Sequence, residues 1–204
     1  MATMVTDPEL EKQLRAAREA TGADRYDEVW EGVYVMAPMP NDEHQDLVAL
    51  LTSILVEVVR WPGLGEVRPG VNVSHRRDDW KKDYRVPDVA VFLKEGHAEN
   101  LGTHWLGGPD LAIEIVSPED RSREKIGFYS KAGVRELLVI ERQPWRLEIY
   151  EHNAAELKLR GTSDVATGNQ LASRTVPLTF CLLPAEPRPQ IQVSAQNSER
   201  MWLI

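Results

Sequence analysis

Apolar residues in this chain follow two different rhythms. Around Leu47, Leu50, Leu51, Ile54, Leu55 and Val58 they recur at the spacing that lines one face of a helix. Asn41 or Asp42 supplies an N-cap there, and Trp61-Pro62-Gly63 stops the pattern, so a helix is expected through about Val59. Elsewhere the apolar residues come in short, β-branched blocks. Val86-Pro87-Asp88-Val89-Ala90-Val91-Phe92-Leu93 and Leu111-Ala112-Ile113-Glu114-Ile115-Val116 are bounded by Pro, Gly or charged clusters and read as buried strands.

The remaining elements fall between these. Residues 7–20 carry Leu10, Leu14 and Ala17 on one stripe and predict an amphipathic helix, treated as an appendage over 1–25 beside a single domain over 26–204. Residues 29–36 alternate around Gly32 and predict a strand closed by Pro38 and Pro40; 66–74 predict another. Residues 94–109 form a polar connection. Ser117-Pro118-Glu119-Asp120 has a cap residue, a proline at the first helical position and acids in the first turn, so a helix starts there. It runs to about Lys131 and ends near Gly133, which suits the left-handed cap. Gln143-Pro144-Trp145 separates strands over 135–141 and 146–152 as a hairpin. Further strands are expected at 156–160 and 175–182, and Pro184, Pro187 and Pro189 predict an extended wrap-around tail.

Composition narrows the function classes. With 204 residues, 42% hydrophobic and 27% charged, the chain is long enough for one buried core. It has no apolar run long enough for a membrane span and no basic-then-apolar N-terminus, so a cytoplasmic protein away from membranes is expected. A single cysteine, Cys181, excludes an intrachain disulfide and any multi-cysteine metal site, and its apolar neighbours predict a packed thiol. The histidines show no zinc-like pairing. A net charge of −8 argues against a broad basic surface for nucleic acid. Basic groups are nevertheless concentrated in two places. His75-Arg76-Arg77-Asp78-Asp79-Trp80-Lys81-Lys82-Asp83-Tyr84-Arg85 runs into the Asp88 block, and Arg121, Arg123, Lys125 and Lys131 follow Glu114. A basic rim around an acidic centre suits a phosphodiester; a solvated loop and an ordinary helix surface are the alternative.

The acids inside the apolar blocks carry the chemistry. An ionised carboxylate out of water costs several kcal/mol unless a counter-charge, donor or metal compensates it. Asp88 and Glu114 share a strand face with Ala90 and Ala112 respectively, so neighbouring strands would bring them together. Hard cations such as Mg²⁺ or Mn²⁺ prefer oxygen ligands and are held by one or two carboxylates plus substrate phosphate. Lys125 and Tyr129 lie four residues apart on the following helix and project from one face. There Lys125 would orient water or stabilise the transition state. The alternatives are that Lys125 pairs with Asp120 or Glu124, that Tyr129 fills core space, and that the acids pair with Arg85, Arg121 or Arg135. His44, early in its helix, and Glu31, on the first strand, are accessory candidates.

The same residues carry a family resemblance. Val86-Pro87-Asp88-Val89-Ala90-Val91, Pro109-Asp110-Leu111-Ala112-Ile113-Glu114-Ile115-Val116-Ser117-Pro118, Lys125-Ile126-Gly127-Phe128-Tyr129 and Gly133-Val134-Arg135-Glu136 resemble the Uma-type restriction endonuclease family of the PD-(D/E)XK nuclease superfamily. Glu31-Gly32-Val33-Tyr34-Val35-Met36-Ala37-Pro38 followed by His44 resembles its opening segment. The likeness spans roughly residues 26–150. It implies an α/β restriction-endonuclease-like core, a central mixed β-sheet flanked by helices with extra C-terminal strands, and metal-dependent phosphodiester hydrolysis. Asp88 would be the proline-aspartate acid and Glu114 the second acid. Val116 stands where the superfamily's simplest pattern has lysine, and the resemblance transfers that role to Lys125; the acid ending the next strand is Glu141.

The leading expectation is a Mg²⁺- or Mn²⁺-dependent DNA endonuclease, with Asp88 and Glu114 as ligands and Lys125 as the charged partner. A homodimer is expected, because two-fold symmetry is the simplest way to cut two strands. Competing expectations are a nuclease-fold interaction protein without catalysis and a hydrolase of small phosphoesters.

Overall fold

The computed structural model describes residues 2–116 and 121–204. Strand β1 (Thr3–Val5) leads into helix α1 (Pro8–Thr21), which opens on the Asp7 carboxylate and closes at left-handed Gly22. With β2 (Glu28–Trp30) and β3 (Val33–Met36), β1 forms a small antiparallel sheet. Arg18 of α1 reaches Asp27 at 2.6 Å, next to β2.

Helix α2 (Asp42–Leu55) starts on Asn41, whose side chain accepts the His44 N–H, and continues as a π-helical turn over Val56–Arg60. That matches the expected span. The strand expected over 66–74 is broken instead: β4 (Gly65–Pro69) and β5 (Val73–Ser74) belong to different sheets. Gly70, at φ +56, turns the chain between them. The polar connection after β6 (Val89–Leu93) is not structureless either. Within it β7 (Glu99–Asn100) pairs with β8 (Trp105–Leu106), which in turn pairs with β5.

Next come β9 (Leu111–Ile115), α3 (Ile126–Ala132), β10 (Glu136–Arg142), β11 (Trp145–Asn153) and β12 (Glu156–Asp164). The helix start expected at Ser117-Pro118-Glu119-Asp120 lies outside the described residues. A 3₁₀ turn, Ser122–Lys125, enters α3, and Gly133 ends it in the left-handed conformation, as its missing Cβ predicts. The central sheet has the order β12-β11-β10-β9-β6-β4. Only β9 and β10 run parallel, with α3 as their crossover, so the sheet is mixed.

The C-terminal segment is not a wrap-around tail. It folds into an antiparallel sheet of β13 (Leu171–Ala172), β14 (Leu178–Leu183), β15 (Gln190–Ala195) and β16 (Met201–Leu203). Its prolines cluster in the β14–β15 connection, where a missing N–H breaks no ladder. Cys181 is a buried thiol, as expected.

Alternation along the central strands sorts two cores. On one face, Leu47, Leu51 and Leu55 of α2, with Phe180 and Val193, pack against Val89, Val91, Leu111 and Ile113. On the other, Phe128, Tyr129 and Ala132 of α3 pack against Ala90, Phe92, Ala112 and Val139. The second face is the one that carries Glu114.

Candidate active site

Backbone pairing brings the two acidic segments together. β6 and β9 are antiparallel with Val89 opposite Ile113, and one further step places Asp88 opposite Glu114. Asp88 is not inside the strand, however. It sits in the bend just before β6, preceded by Pro87, which has no N–H to give to a ladder. Its side chain takes over that pairing: Oδ2 accepts the Ile115 N–H at 2.7 Å. The other oxygen, Oδ1, lies 3.2 Å from His44 Nε2 on α2.

Glu114 is only 2% exposed and is served from the helix side. Lys125 Nζ lies 3.2 Å and 3.1 Å from its two oxygens, and the Tyr129 hydroxyl donates to Oε1. Burial pushes the Glu114 carboxyl up to about 8; Lys125 opposes this, whereas Asp88 and Glu28 add to it. Burial likewise pushes the Tyr129 hydroxyl well up, so it is a neutral donor.

A third acid completes the group. Glu28, on β2, is 4% exposed and contacts Lys125 at 2.9 Å through Oε1. The same oxygen accepts the Val86 N–H at 2.8 Å, while Oε2 accepts the Trp30 indole N–H at 2.6 Å. Sequence reasoning missed Glu28, because the first strand was taken to begin one residue later. The available signal was an acid two positions before Trp30, on the same strand face and within reach of the indole.

Of the sequence candidates, Asp88, Glu114, Lys125 and His44 line one cleft, with Glu28, Trp30 and Arg121, and Tyr129 lies beneath Glu114. Glu31 does not join them. It occupies a left-handed turn position at φ +50, is exposed, and pairs with Lys131 at 3.0 Å. Glu141 is engaged by Arg123 at 2.6 Å. The arginines that could have neutralised the acids have other partners: Arg85 is on Asp83, Arg121 on Glu124 and Arg135 on Asp110.

The cleft has a cavity volume of about 110 Å³, well above the roughly 10–15 Å³ that one water needs. Among the described residues no three His, Cys, Asp or Glu side chains form a ready-made metal cage. The donor chemistry nonetheless fits a hard cation that keeps most of its waters, which asks the protein for one or two carboxylates. The Lys125 ammonium is already a cation held between Glu28 and Glu114.

A mixed sheet with an acidic cleft where β6 and β9 meet, a lysine arriving from the crossover helix, places this molecule among the nuclease-like α/β proteins. Residues 11–185 match the family model described as "Uma2: Putative restriction endonuclease", and the chain belongs to that family. Among solved structures, it is similar to "a putative nuclease belonging to DUF820" from Anabaena variabilis ATCC 29413. That likeness has 21% identity over 65% of this chain and 75% of the other, with a TM-score of 0.53, and establishes the fold. A search among curated proteins gave no match. Family and fold together support nuclease function.

Proposed function

We propose that this protein is a divalent-cation-dependent endonuclease that hydrolyses DNA phosphodiester bonds. The observation that carries the reading is the Lys125 ammonium held at 3.1 Å and 3.2 Å from buried Glu114, in the cleft that Asp88 also lines. Asp88 and Glu114 would hold Mg²⁺ or Mn²⁺. When bound, such a cation supplies Lewis acidity toward a phosphoryl oxygen.

The chain's own residues do the remainder. Lys125 offers a charged donor to the negative charge that develops on the scissile phosphate. Tyr129 and Lys125, rising from one helix face, orient the Glu114 carboxylate. The Ile115 N–H and His44 orient Asp88 in the same way. Arg121 stands at the cleft wall, 5.5 Å from the Trp30 ring, where a phosphate could draw it from Glu124. Two copies related by a two-fold axis would serve a duplex, and a cytoplasmic location suits that substrate.

The test is cleavage of supercoiled plasmid with Mg²⁺ or Mn²⁺ by the wild type, Asp88→Ala and Glu114→Ala. Nicking or linearisation by the wild type alone is expected, and equal cleavage by all three rejects the assignment. One observation favours a second reading, a nuclease-fold interaction protein without catalysis: every oxygen of Asp88 and Glu114 already has a protein partner. Calorimetric titration with Mn²⁺ separates the two, since the interaction protein needs no cation at these acids.

A further inference from the structure

We propose that Glu28 is a positioning residue that retains Lys125 in the cleft when Glu114 gives up the ammonium for a divalent cation. This rests on the cation-dependent reading of the cleft.

Lys125 bridges two buried carboxylates: it donates hydrogen bonds to both oxygens of Glu114 at 3.1 Å and 3.2 Å, and its ammonium lies 2.9 Å from Glu28 as an ion pair.

The two carboxylates differ in how they are held. The Trp30 indole and the Val86 backbone N–H pin both oxygens of Glu28, at 2.6 Å and 2.8 Å, so the carboxylate cannot turn without breaking a buried hydrogen bond. Glu28 reaches the cleft from the small N-terminal sheet, across from the helix that bears Lys125. Glu114 is held by Lys125 and by the Tyr129 hydroxyl, which leaves Oε2 with the ammonium alone among its described contacts. An incoming cation can take that oxygen and displace the ammonium from it. The ammonium then stays on Glu28, beside the cation instead of against it.

Without Glu28 the balance reverses. Of the described carboxylates that hold Lys125, Glu114 would remain, and the ammonium would compete with the cation for it. Glu28 thus acts through Lys125, and its effect should disappear when Lys125 is gone.

The experiment is a double-mutant cycle of Glu28→Gln and Lys125→Met on the full chain, read in two ways. Thermal melts in EDTA come first. Glu28→Gln is expected to lower the midpoint in the wild type. In the Lys125→Met background it is expected to leave or raise the midpoint, because there it removes a buried charge that has lost its ammonium. An equal fall in both backgrounds overturns the proposal. Mn²⁺ titration by calorimetry is the second reading. Glu28→Gln should weaken Mn²⁺ binding by about 10- to 100-fold, Lys125→Met should tighten it, and the double variant should bind like Lys125→Met. Equal weakening by Glu28→Gln in both backgrounds would make Glu28 a ligand and overturn the positioning role. Absence of Mn²⁺ binding in the wild type rejects the cation and the exchange with it, whereas the melts judge the Glu28–Lys125 tether separately. Lys125→Gln replaces Lys125→Met if the latter aggregates.

Discussion

Tyr129 donates its hydroxyl hydrogen to Oε1 of Glu114, the same oxygen that Lys125 approaches to 3.2 Å from one turn earlier in the chain. One helical face thus delivers a neutral donor and a cation to a single buried acid. Tyr129 is fully buried, so Tyr129→Phe keeps the ring packing and removes only the donor. A loss of about 1–3 kcal/mol is expected, the cost of leaving a buried acceptor short of a partner. Urea unfolding of both proteins measures it, and an unchanged midpoint contradicts the role.

Raising the Glu114 carboxyl from 4.5 to about 8 makes the metal-free protein sensitive to pH. In the unfolded chain this acid ionises near its ordinary value; in the folded protein it keeps its proton to higher pH. Its contribution to stability is therefore fully present below 4.5 and is lost as pH rises through about 8. Glu114→Gln resembles the protonated acid at every pH. Its melting midpoint in EDTA should gain on the wild type steadily from pH 5 to pH 9 (roughly the titration window). A pH-independent difference between the two would be the contrary result.

Removing the ammonium should cost catalysis more than folding. For Lys125→Ala we expect plasmid cleavage to slow by about 100- to 1,000-fold, the scale of losing one transition-state donor. Single-turnover cleavage rates, with circular dichroism as the control for folding, provide the check.

His44 holds Asp88 Oδ1 at 3.2 Å, and its own Nδ1 is buried without a hydrogen-bond partner among the described residues. Its orientation therefore depends on the Asp88 contact and on the α2 backbone. His44→Ala should loosen Asp88 and lower Mn²⁺ affinity by about 10- to 100-fold, while Asn41 still caps α2. Calorimetry on this variant beside Asn41→Ala distinguishes loss of the imidazole from fraying of the helix.

Away from the cleft, Glu136 joins the central sheet to the C-terminal one. Only 1% exposed, it accepts the Arg174 and Thr175 N–H groups, the Ser173 and Thr175 hydroxyls and the Arg160 guanidinium. Glu136→Ala strands those donors and should destabilise the fold by about 3–5 kcal/mol. Chemical unfolding tests this, and a change under 1 kcal/mol or so would leave Glu136 an ordinary surface-like residue.

How far the chain could be read in advance depended on where the determining interactions lie. The α2 cap at Asn41, the left-handed stop at Gly133 and the alternation of Ala90 with Val91 or Ala112 with Ile113 are local, and each was readable from neighbouring residues. The spacing of Lys125 and Tyr129 was readable for the same reason, since residues four apart share a helix face. Family membership followed from these same short motifs.

Long-range pairing was not readable. Glu28 and Glu31 are both acids close to one turn; only the packing of β2 against Val86 and Lys125 sends Glu28 into the cleft, while the left-handed turn leaves Glu31 with Lys131. The C-terminal prolines looked like an extended tail because β-sheet partners lie far along the chain, and no local signal states which strand will accept them. The amino-acid order sets periodicity, caps and breaks through contacts a few residues apart. Which of several equivalent acids becomes buried is settled when distant segments meet, because the desolvation cost of a charge exists only once its neighbours are in place.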